Sequence, residues 1–323
     1  MKRSIAALLA LCLLAALGGC GSGGAEPAAQ RTQEVVVTLF PLYDWTRNIA
    51  GTEEGITLLL DNGTDMHSYQ PSVEDVVKIS TCSLFIYVGG ESDAWVEDAL
   101  KNAANPDLVA LNLMDVLGDS ARMEEAVEGM QTGAGEEEGE YDEHIWLSLK
   151  NAEICCAAIA EAMAQVFPEH ASEYAAGAAA YAQELDALDA AYRTATEQAR
   201  TMSHRQADVL LFADRFPFRY LLEDYRLRYY AAFSGCEAET EASFETVRFL
   251  AGKVDELGLP VVLTTESPVP RLAETVVENT AAHSARILAL DSMQSVTAAQ
   301  IAGGAGYLGI MEQNLKIIEE AMA

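Results

Sequence analysis

The sequence predicts an α/β protein of two βα lobes, each with a central, mainly parallel sheet, joined by one long backbone helix. Three observations predict this fold class. Short apolar runs alternate with helical segments in the first half of the chain, the same alternation returns in the second half, and an uninterrupted helical stretch lies between them. Strands that alternate with helices of this length are typical of parallel βαβ units.

The first lobe is predicted to span residues 35–167. Its strands are short apolar runs that begin with a β-branched stretch, and segments with helical spacing separate them. The predicted strands are Val35–Phe40, Ile56–Leu60 and Leu84–Val88, and the predicted helices are Tyr43–Ala50 and Val73–Ser80.

Residues 168–202 form the predicted connecting helix. Pro168 suits the first turn of a helix, where its missing N–H group is not needed. A helix of this length, at ~1.5 Å per residue, is ~50 Å long and can brace two lobes. Large apolar residues recur on one face at three-, four- and seven-residue steps: Tyr174, Tyr181, Leu185, Leu188 and Tyr192.

The second lobe, residues 203–323, repeats the pattern of the first. Helical segments again separate apolar runs, so we expect a second parallel sheet. The predicted strands are Val209–Phe212, Val261–Thr265 and Arg286–Leu290, and a closing helix is predicted from about Ala305.

Composition limits the classes of function. Half of the 323 residues are hydrophobic, which predicts a globular protein that is long enough for two domains. The 50 acidic residues outnumber the 20 basic residues, and the net charge of −30 argues against nucleic acid as a partner. Diffuse negative charge attracts cations loosely, but it does not locate a metal site.

The first residues have the features of a secretion signal. Lys2 and Arg3 precede the apolar stretch Ile5–Leu17, which is too short to span a bilayer comfortably. Leu17-Gly18-Gly19-Cys20 resembles a bacterial lipobox, in which the cysteine is lipidated. The alternative is an ordinary signal peptide with an incidental cysteine.

We therefore predict a signal peptide over residues 1–19, and a lipidated Cys20 followed by a flexible tether over residues 20–34. Gly, Ser, Ala and Pro dominate Gly21–Gln30, which is a composition typical of linkers. The sequence contains no later segment that is long and apolar enough to be transmembrane. The expected location is outside the cytoplasmic membrane, anchored to it by lipid.

Four further cysteines remain after the signal and Cys20 are set aside. They form no CxxC motif and no Cys/His pair at zinc-finger spacing, so a thiolate metal site is not favoured. Two of them lie in an alanine-rich helical run and are predicted to fill core space. The sequence leaves open whether a disulfide forms among the four: Cys82, Cys155, Cys156 and Cys236.

A low-complexity insert, residues 122–143, contains nine acidic residues and four glycines. Few of its side chains suit a core, so we predict a flexible, solvated surface loop. An alternative is a weak collector of metal ions beside a stronger site, because the insert ends at His144.

Two of the five histidines are candidates for metal ligands. His67 and His144 lie in loops beside predicted strands or helices, where α/β proteins assemble their sites. Imidazole is a common ligand for zinc and, mixed with carboxylate oxygen, for manganese. His170 and His204 lie near the two ends of the connecting helix and are expected to be solvated.

The motifs around these histidines resemble those of the metal-binding lipoproteins of ABC importers, the cluster A-I solute-binding proteins that take zinc or manganese. Asp65-Met66-His67-Ser68-Tyr69-Gln70-Pro71-Ser72 resembles the first ligand motif of that family. Asp142-Glu143-His144-Ile145-Trp146-Leu147-Ser148 resembles the second. The resemblance runs from about Val35 to the C-terminus, and it implies that His67, His144 and Asp291 are metal ligands.

The chain departs from the family at the ligand that follows the first strand of the second lobe. Family members place a His or Glu there. A gapless match on Phe218-x-Tyr220 puts Arg215 in that position, and a match on the preceding strand puts Ala213 there. Neither side chain binds a metal ion.

Three replacements for the missing ligand are open. Asp214 is the nearest carboxylate in both alignments, and Glu266, at the end of a predicted strand, is the second candidate. The third possibility is a site of His67, His144 and Asp291 that water or a bidentate carboxylate completes. Arg215 would then pair with a carboxylate of the cleft.

The function implied by the resemblance is capture of a divalent transition metal in the interlobe cleft, zinc first and manganese next, and its delivery to the permease of an ABC importer. The expected protein is a lipid-anchored monomer and not an enzyme, because no HExxH motif accompanies Glu143 and His144. The alternative function is a binding protein on the same scaffold that has lost the metal and takes an organic ligand or a metal chelate.

Overall fold

The computed structural model describes residues 34–131, 140–202, 208–235, 241–266 and 269–323. The predicted signal peptide, Cys20 and all of the tether but Glu34 lie outside the described residues, as do His204 and Cys236.

The first lobe contains a four-stranded, fully parallel sheet with the strand order β2-β1-β3-β4. Its central strand β1 is buried along its whole length, as expected for a parallel sheet covered on both faces. The strands are β1 (Val35–Val37), β2 (Ile56–Leu58), β3 (Leu84–Tyr87) and β4 (Val109–Asn112).

Side-chain or glycine caps mark several helix ends of the first lobe. Ser72 and Asp75 form a capping box at the start of α2, and Ser148 caps the start of α5. The helix α1 ends at Gly51, whose φ of 70° suits glycine. The helices are α1 (Phe40–Ala50), α2 (Val73–Thr81), α3 (Trp95–Lys101), α4 (Leu113–Leu117) and α5 (Leu149–Val166).

The connecting helix is α6 (Ala171–Met202), which a short 3-10 turn at Pro168–His170 precedes. The five large apolar residues of its predicted stripe are all buried. Gly177 allows the close approach of α1, because a Cβ atom there would lie 2.3 Å from the carbonyl oxygen of Ile49. The hydroxyl of Tyr192 donates to the carbonyl of Met311 at 2.6 Å, which ties α6 to the last helix.

The second lobe contains another four-stranded parallel sheet, with the order β6-β5-β7-β8. The register between β5 and β6 shifts between Phe212 and Arg215, where β5 has one extra residue. The strands are β5 (Val209–Phe216), β6 (Arg228–Ser234), β7 (Val261–Thr264) and β8 (Arg286–Ala289).

Five helices complete the described part of the second lobe. Ser243 caps the start of α8, and a capping box of Thr297 and Gln300 begins α10. The helices are α7 (Arg219–Asp224), α8 (Phe244–Leu257), α9 (Arg271–Glu278), α10 (Ala298–Ala302) and α11 (Tyr307–Met322).

The predicted two-lobe α/β class with a long helix between the lobes is confirmed. Two strands, β4 and β6, were absent from the sequence prediction. The strand β4 is partly exposed and only four residues long, and β6 follows α7 after three residues and begins with an exposed arginine. In the sequence, the apolar run of β4 continues directly into α4, and the apolar residues of β6 are mostly Tyr and Ala.

Both described ends of the acidic insert make contacts with the rest of the protein, and one of them is buried. Asp142 and Glu143 are buried, and residues 122–131 contact the second lobe. The N–H of Gln131 donates to the carbonyl of Ala232 in β6 at 2.8 Å, and Gly129 packs on Phe249. The flank at Asp142 and Glu143 is therefore buried and not solvated, whereas Arg122, Glu125 and Glu128 in the other flank are exposed, as expected of a solvated loop.

The cysteines behave as the sequence predicts for core residues. Cys82, Cys155 and Cys156 are buried and free, and burial raises the pKa of the Cys155 thiol to about 12. Among the described residues, none of the helices has both the length and the apolar character needed to cross a membrane.

Candidate metal centre

The two candidate histidines lie next to each other in the folded protein. His67 is in a 3-10 turn (Met66–Ser68) that follows β2, and His144 directly precedes a second 3-10 turn (Ile145–Leu147). Their Nε2 atoms are 3.3 Å apart. His144 is fully buried, and His67 is largely buried.

The separation of the two nitrogens fits a single zinc ion. Zinc binds imidazole nitrogen at about 2.0–2.1 Å in tetrahedral sites, so two ligand nitrogens of one ion lie ~3.3 Å apart. The paired Nε2 atoms of His67 and His144 have this spacing already.

Asp142 orients the imidazole of His144. Its Oδ1 accepts from the Nδ1–H of His144 at 2.8 Å and from the backbone N–H of the same residue at 2.9 Å. This partner places the proton of a neutral imidazole on Nδ1 and leaves the Nε2 lone pair free. Burial raises the pKa of Asp142 to about 7 and lowers the pKa of His144 to about 4.

His67 is held in an equivalent way by a hydroxyl group. Its Nδ1 lies 2.8 Å from Oγ of Ser92, with Oε2 of Glu143 3.8 Å away. Burial, and then the neighbouring His144, lower the pKa of His67. The positive charge of Arg215 acts in the same direction on both imidazoles. Two neutral rings therefore face each other through their metal-binding nitrogens.

Two glycines allow the backbone to approach this cluster closely. A Cβ atom at Gly90 would lie 2.3 Å from Oε1 of Glu143, whose carboxylate accepts from the N–H of Ser92. A Cβ atom at Gly235 would lie 2.8 Å from Cε1 of His144. Gly235 directly follows β6, so the second lobe touches the imidazole here through backbone alone.

Trp146 of the second motif links the two lobes beside the histidines. Its ring packs edge-on against His144, with the ring centroids 5.3 Å apart. The indole N–H donates to the carbonyl of Ser292 at 2.8 Å, and the carbonyl of Trp146 accepts from the hydroxyl of Tyr307 at 2.6 Å. The motif thus positions His144 and also joins the lobes.

The carboxylate of Asp214 is engaged within its own lobe. Its Oδ2 accepts from the N–H and the hydroxyl of Thr265 at 3.0 and 2.8 Å, and its Oδ1 accepts from the N–H of Arg215 at 2.9 Å. Both oxygens of this candidate ligand therefore already have donors.

Glu266 and Asp291 lie beside each other. Glu266 accepts from the N–H and the hydroxyl of Ser292 at 2.9 and 2.8 Å, and from the hydroxyl of Ser295 at 3.2 Å. Asp291 accepts from the N–H of Met293 through Oδ1 at 2.8 Å. Burial, and then Glu266, raise the pKa of Asp291 to about 6.

Arg215, which one alignment placed in the ligand position, pairs with a carboxylate of the first lobe. Its Nη2 lies 2.5 Å from Oδ2 of Asp65. The Oδ1 atom of Asp65 accepts from the backbone N–H of His67 at 3.0 Å. The second lobe therefore presents a cation that one carboxylate, Asp65, connects to His67.

The described residues contain one group of three metal-binding side chains whose ligand atoms all lie within 4.8 Å: Glu124, Asp142 and His144. Within that distance, the structure does not bring Asp214, Glu266 or Asp291 together with both histidines. These three residues remain predictions as ligands. Sequence reasoning missed Asp142, Ser92 and Glu124 as neighbours of the histidines, although the position of Asp142 two residues before His144 was a usable signal.

Comparison with known families and proteins gives consistent matches. The family model ZnuA, zinc-uptake complex component A periplasmic, matches residues 35–321. The zinc-binding lipoprotein AdcA of Streptococcus pneumoniae serotype 4 is 27% identical over 99% of this chain. The high-affinity zinc uptake system protein ZnuA of Bacillus subtilis is 24% identical over 96% of this chain and 94% of its own length.

Solved structures match over the same region. The Zn(II)-bound ZnuA-like domain of S. pneumoniae AdcA is 26% identical, covers 90% of this chain and 98% of that domain, and has a TM-score of 0.69. The periplasmic zinc-binding protein TroA of Treponema pallidum, at 22% identity and a TM-score of 0.71, shares the fold. The chain spans only 56–61% of the length of the AdcA relatives.

Proposed function

We propose that this chain, which belongs to the family of periplasmic zinc-uptake complex component A proteins, captures zinc between its lobes and delivers it to an ABC-type importer. The ligands in this proposal are His67 and His144, and Asp291 is the foremost candidate for a third. One observation carries the proposal: the two Nε2 atoms are 3.3 Å apart, and each ring has a partner on Nδ1.

Zinc is favoured over manganese by the donor set. Two neutral imidazoles form the fixed part of the site, and imidazole nitrogen suits zinc better than the harder manganese ion, which prefers more oxygen ligands. Two matched relatives are named for zinc, and one solved neighbour is Zn(II)-bound. We therefore assign zinc as the cargo.

The proposed location is the outer face of the cytoplasmic membrane. The lipobox ending at Cys20 supports a lipid anchor, and the matched S. pneumoniae relative is a lipoprotein by name. A binding protein held there would pass its ion to a permease in the same membrane. The flanks of the acidic insert contact the second lobe close to the site, so the insert could gather cations near it.

The test is metal analysis and zinc titration of the full chain, purified in detergent. We expect one equivalent of zinc per chain in competition with a chromogenic chelator. His67→Ala and His144→Ala should each weaken binding more than ~100-fold, because changes in the outer shell alone weaken metal sites by about 10–100-fold. Manganese should compete poorly.

His170→Ala is the matched control, because His170 is an exposed histidine that pairs with Glu173 on the connecting helix. Its zinc affinity should equal that of the wild type. Absence of bound zinc, together with no effect of either substitution in the pair, would reject metal capture and support a receptor for an organic ligand on the same scaffold.

A further inference from the structure

A fixed cation lies beside the paired imidazoles. Arg215, in the second lobe, forms an ion pair with Asp65 of the first lobe at 2.5 Å, and the two side chains are 23% and 28% exposed. They are thus partly shielded from solvent, and charges in such places interact more strongly than surface charges.

The irregular register of β5 accounts for this placement. One extra residue between Phe212 and Arg215 changes the side-chain alternation along the strand. Asp214 is turned to Thr265 within the second lobe, whereas Arg215 reaches the first lobe.

Asp65 connects the guanidinium to the histidine. One of its oxygens accepts from Arg215, and the other accepts from the backbone N–H of His67. The charges of Arg215 and Asp65 both act on His67 and His144. An ion between the two Nε2 atoms would experience the same two charges.

We propose that Arg215 sets the zinc affinity of this protein by opposing the ion at the paired imidazoles. The guanidinium repels a dication directly, and its ion pair neutralises Asp65, a carboxylate close to His67. This inference rests on the proposed function and adds a residue that weakens binding. Weaker binding would favour release of the ion to a permease.

Removing only the charge tests the inference. Arg215→Gln should bind zinc about tenfold more tightly, given the Coulomb energies of partly buried charges at several ångströms. Arg215→Lys, which keeps the charge, should stay within about threefold of the wild type on the same argument. Asp65→Asn, which leaves Arg215 without its partner, should bind about tenfold more weakly.

The matched control is Arg228→Gln. Arg228 also pairs with an aspartate, Asp208, but the pair lies on the surface of the second lobe. Its loss should change zinc affinity by less than about twofold. Thermal unfolding of each metal-free variant, followed by circular dichroism, confirms that the fold is intact.

The dependence of zinc affinity on ionic strength distinguishes an electrostatic role of Arg215 from a structural one. The difference in affinity between the wild type and Arg215→Gln should shrink between low and high ionic strength, because exposed parts of the interaction are screened. A purely structural change would leave the difference constant and would overturn the inference.

Each outcome has a distinct meaning. If the wild type binds zinc and His67→Ala does not, but Arg215→Gln binds equally or more weakly, the inference is wrong and the proposed function stands. If the wild type itself binds no zinc, the proposed function fails and the inference fails with it.

Discussion

The two lobes contribute unequally to the candidate site. The first lobe presents two imidazoles whose metal-binding nitrogens face each other, and each ring is fixed by a partner on Nδ1. The second lobe presents carboxylates that already accept hydrogen bonds from Thr265 or Ser292, and a cation, Arg215.

This difference indicates that the candidate site is preorganised in the first lobe but not in the second. The rings of the first lobe need no rearrangement, so the loss of side-chain freedom has occurred during folding and not during binding. In the second lobe, Asp214 and Glu266 must exchange hydrogen bonds before their carboxylates can reach an ion. The first lobe should therefore supply most of the affinity, and the second lobe should adjust it.

Among the residues that support the two histidines or lie in the second lobe, the largest effect is expected from the one that fixes His144. Asp142→Asn replaces the charged acceptor with a neutral amide, and zinc affinity should fall by about 10–100-fold, as is typical for partners of metal-binding histidines. The measurement is competitive zinc titration. Asp189→Asn, at another buried aspartate that pairs with Tyr225, is the control, and an equal loss there would indicate general destabilisation.

A smaller effect is expected in the second lobe. Asp291 is the carboxylate to test first, because its Oδ2 accepts no hydrogen bond from the described residues, whereas Asp214 and Glu266 use both oxygens. Asp291→Asn should weaken zinc binding by about tenfold, in line with one charged hydrogen bond or ligand.

The zinc affinities of Asp214→Asn and Glu266→Gln should each stay within about threefold of the wild-type value in the same titration. The neutral amides keep part of the existing hydrogen bonding. A larger loss at Asp214 than at Asp291 would reverse the assignment of the third ligand. It would also show that the bonds to Thr265 break when the ion binds.

A smaller loss than at Asp291 is expected at Ser92. Ser92→Ala removes the partner of Nδ1 in His67, but Oε2 of Glu143 lies 3.8 Å from the same nitrogen and can take its place. Zinc affinity should fall by about threefold, the value of one modest hydrogen bond. A loss as large as that of Asp142→Asn would mean that the two rings depend equally on their partners.

Much of the fold was predictable from the sequence. The resemblance read from the two histidine motifs is confirmed by the family match over residues 35–321, and so is the prediction that the protein is not an enzyme. Buried strands such as Val261–Thr264 were found because each is a continuous apolar run between helices. The strand β4 was missed because its apolar run continues into α4, and β6 was missed because Tyr and Ala supply most of its apolar residues.

The second-lobe part of the site was harder to predict. The contact between Arg215 and Asp65 joins residues 150 positions apart, and it depends on an extra residue in β5 and on how the lobes pack. No local pattern encodes either condition. The sequence excluded Arg215 as a ligand and offered its pairing with a cleft carboxylate as one possibility, and the structure identifies that carboxylate as Asp65.

The flank of the acidic insert has a consequence for association between molecules. The strand β6 forms an edge of the second sheet. An open edge exposes unpaired backbone N–H and C=O groups, which can pair with a strand of another chain. Gln131 occupies that edge at Ala232 and Phe233, and its side chain accepts from the N–H of Ser243. Gln131 therefore covers part of this edge, and its removal would leave the backbone groups of Ala232 and Phe233 open to pairing with another molecule.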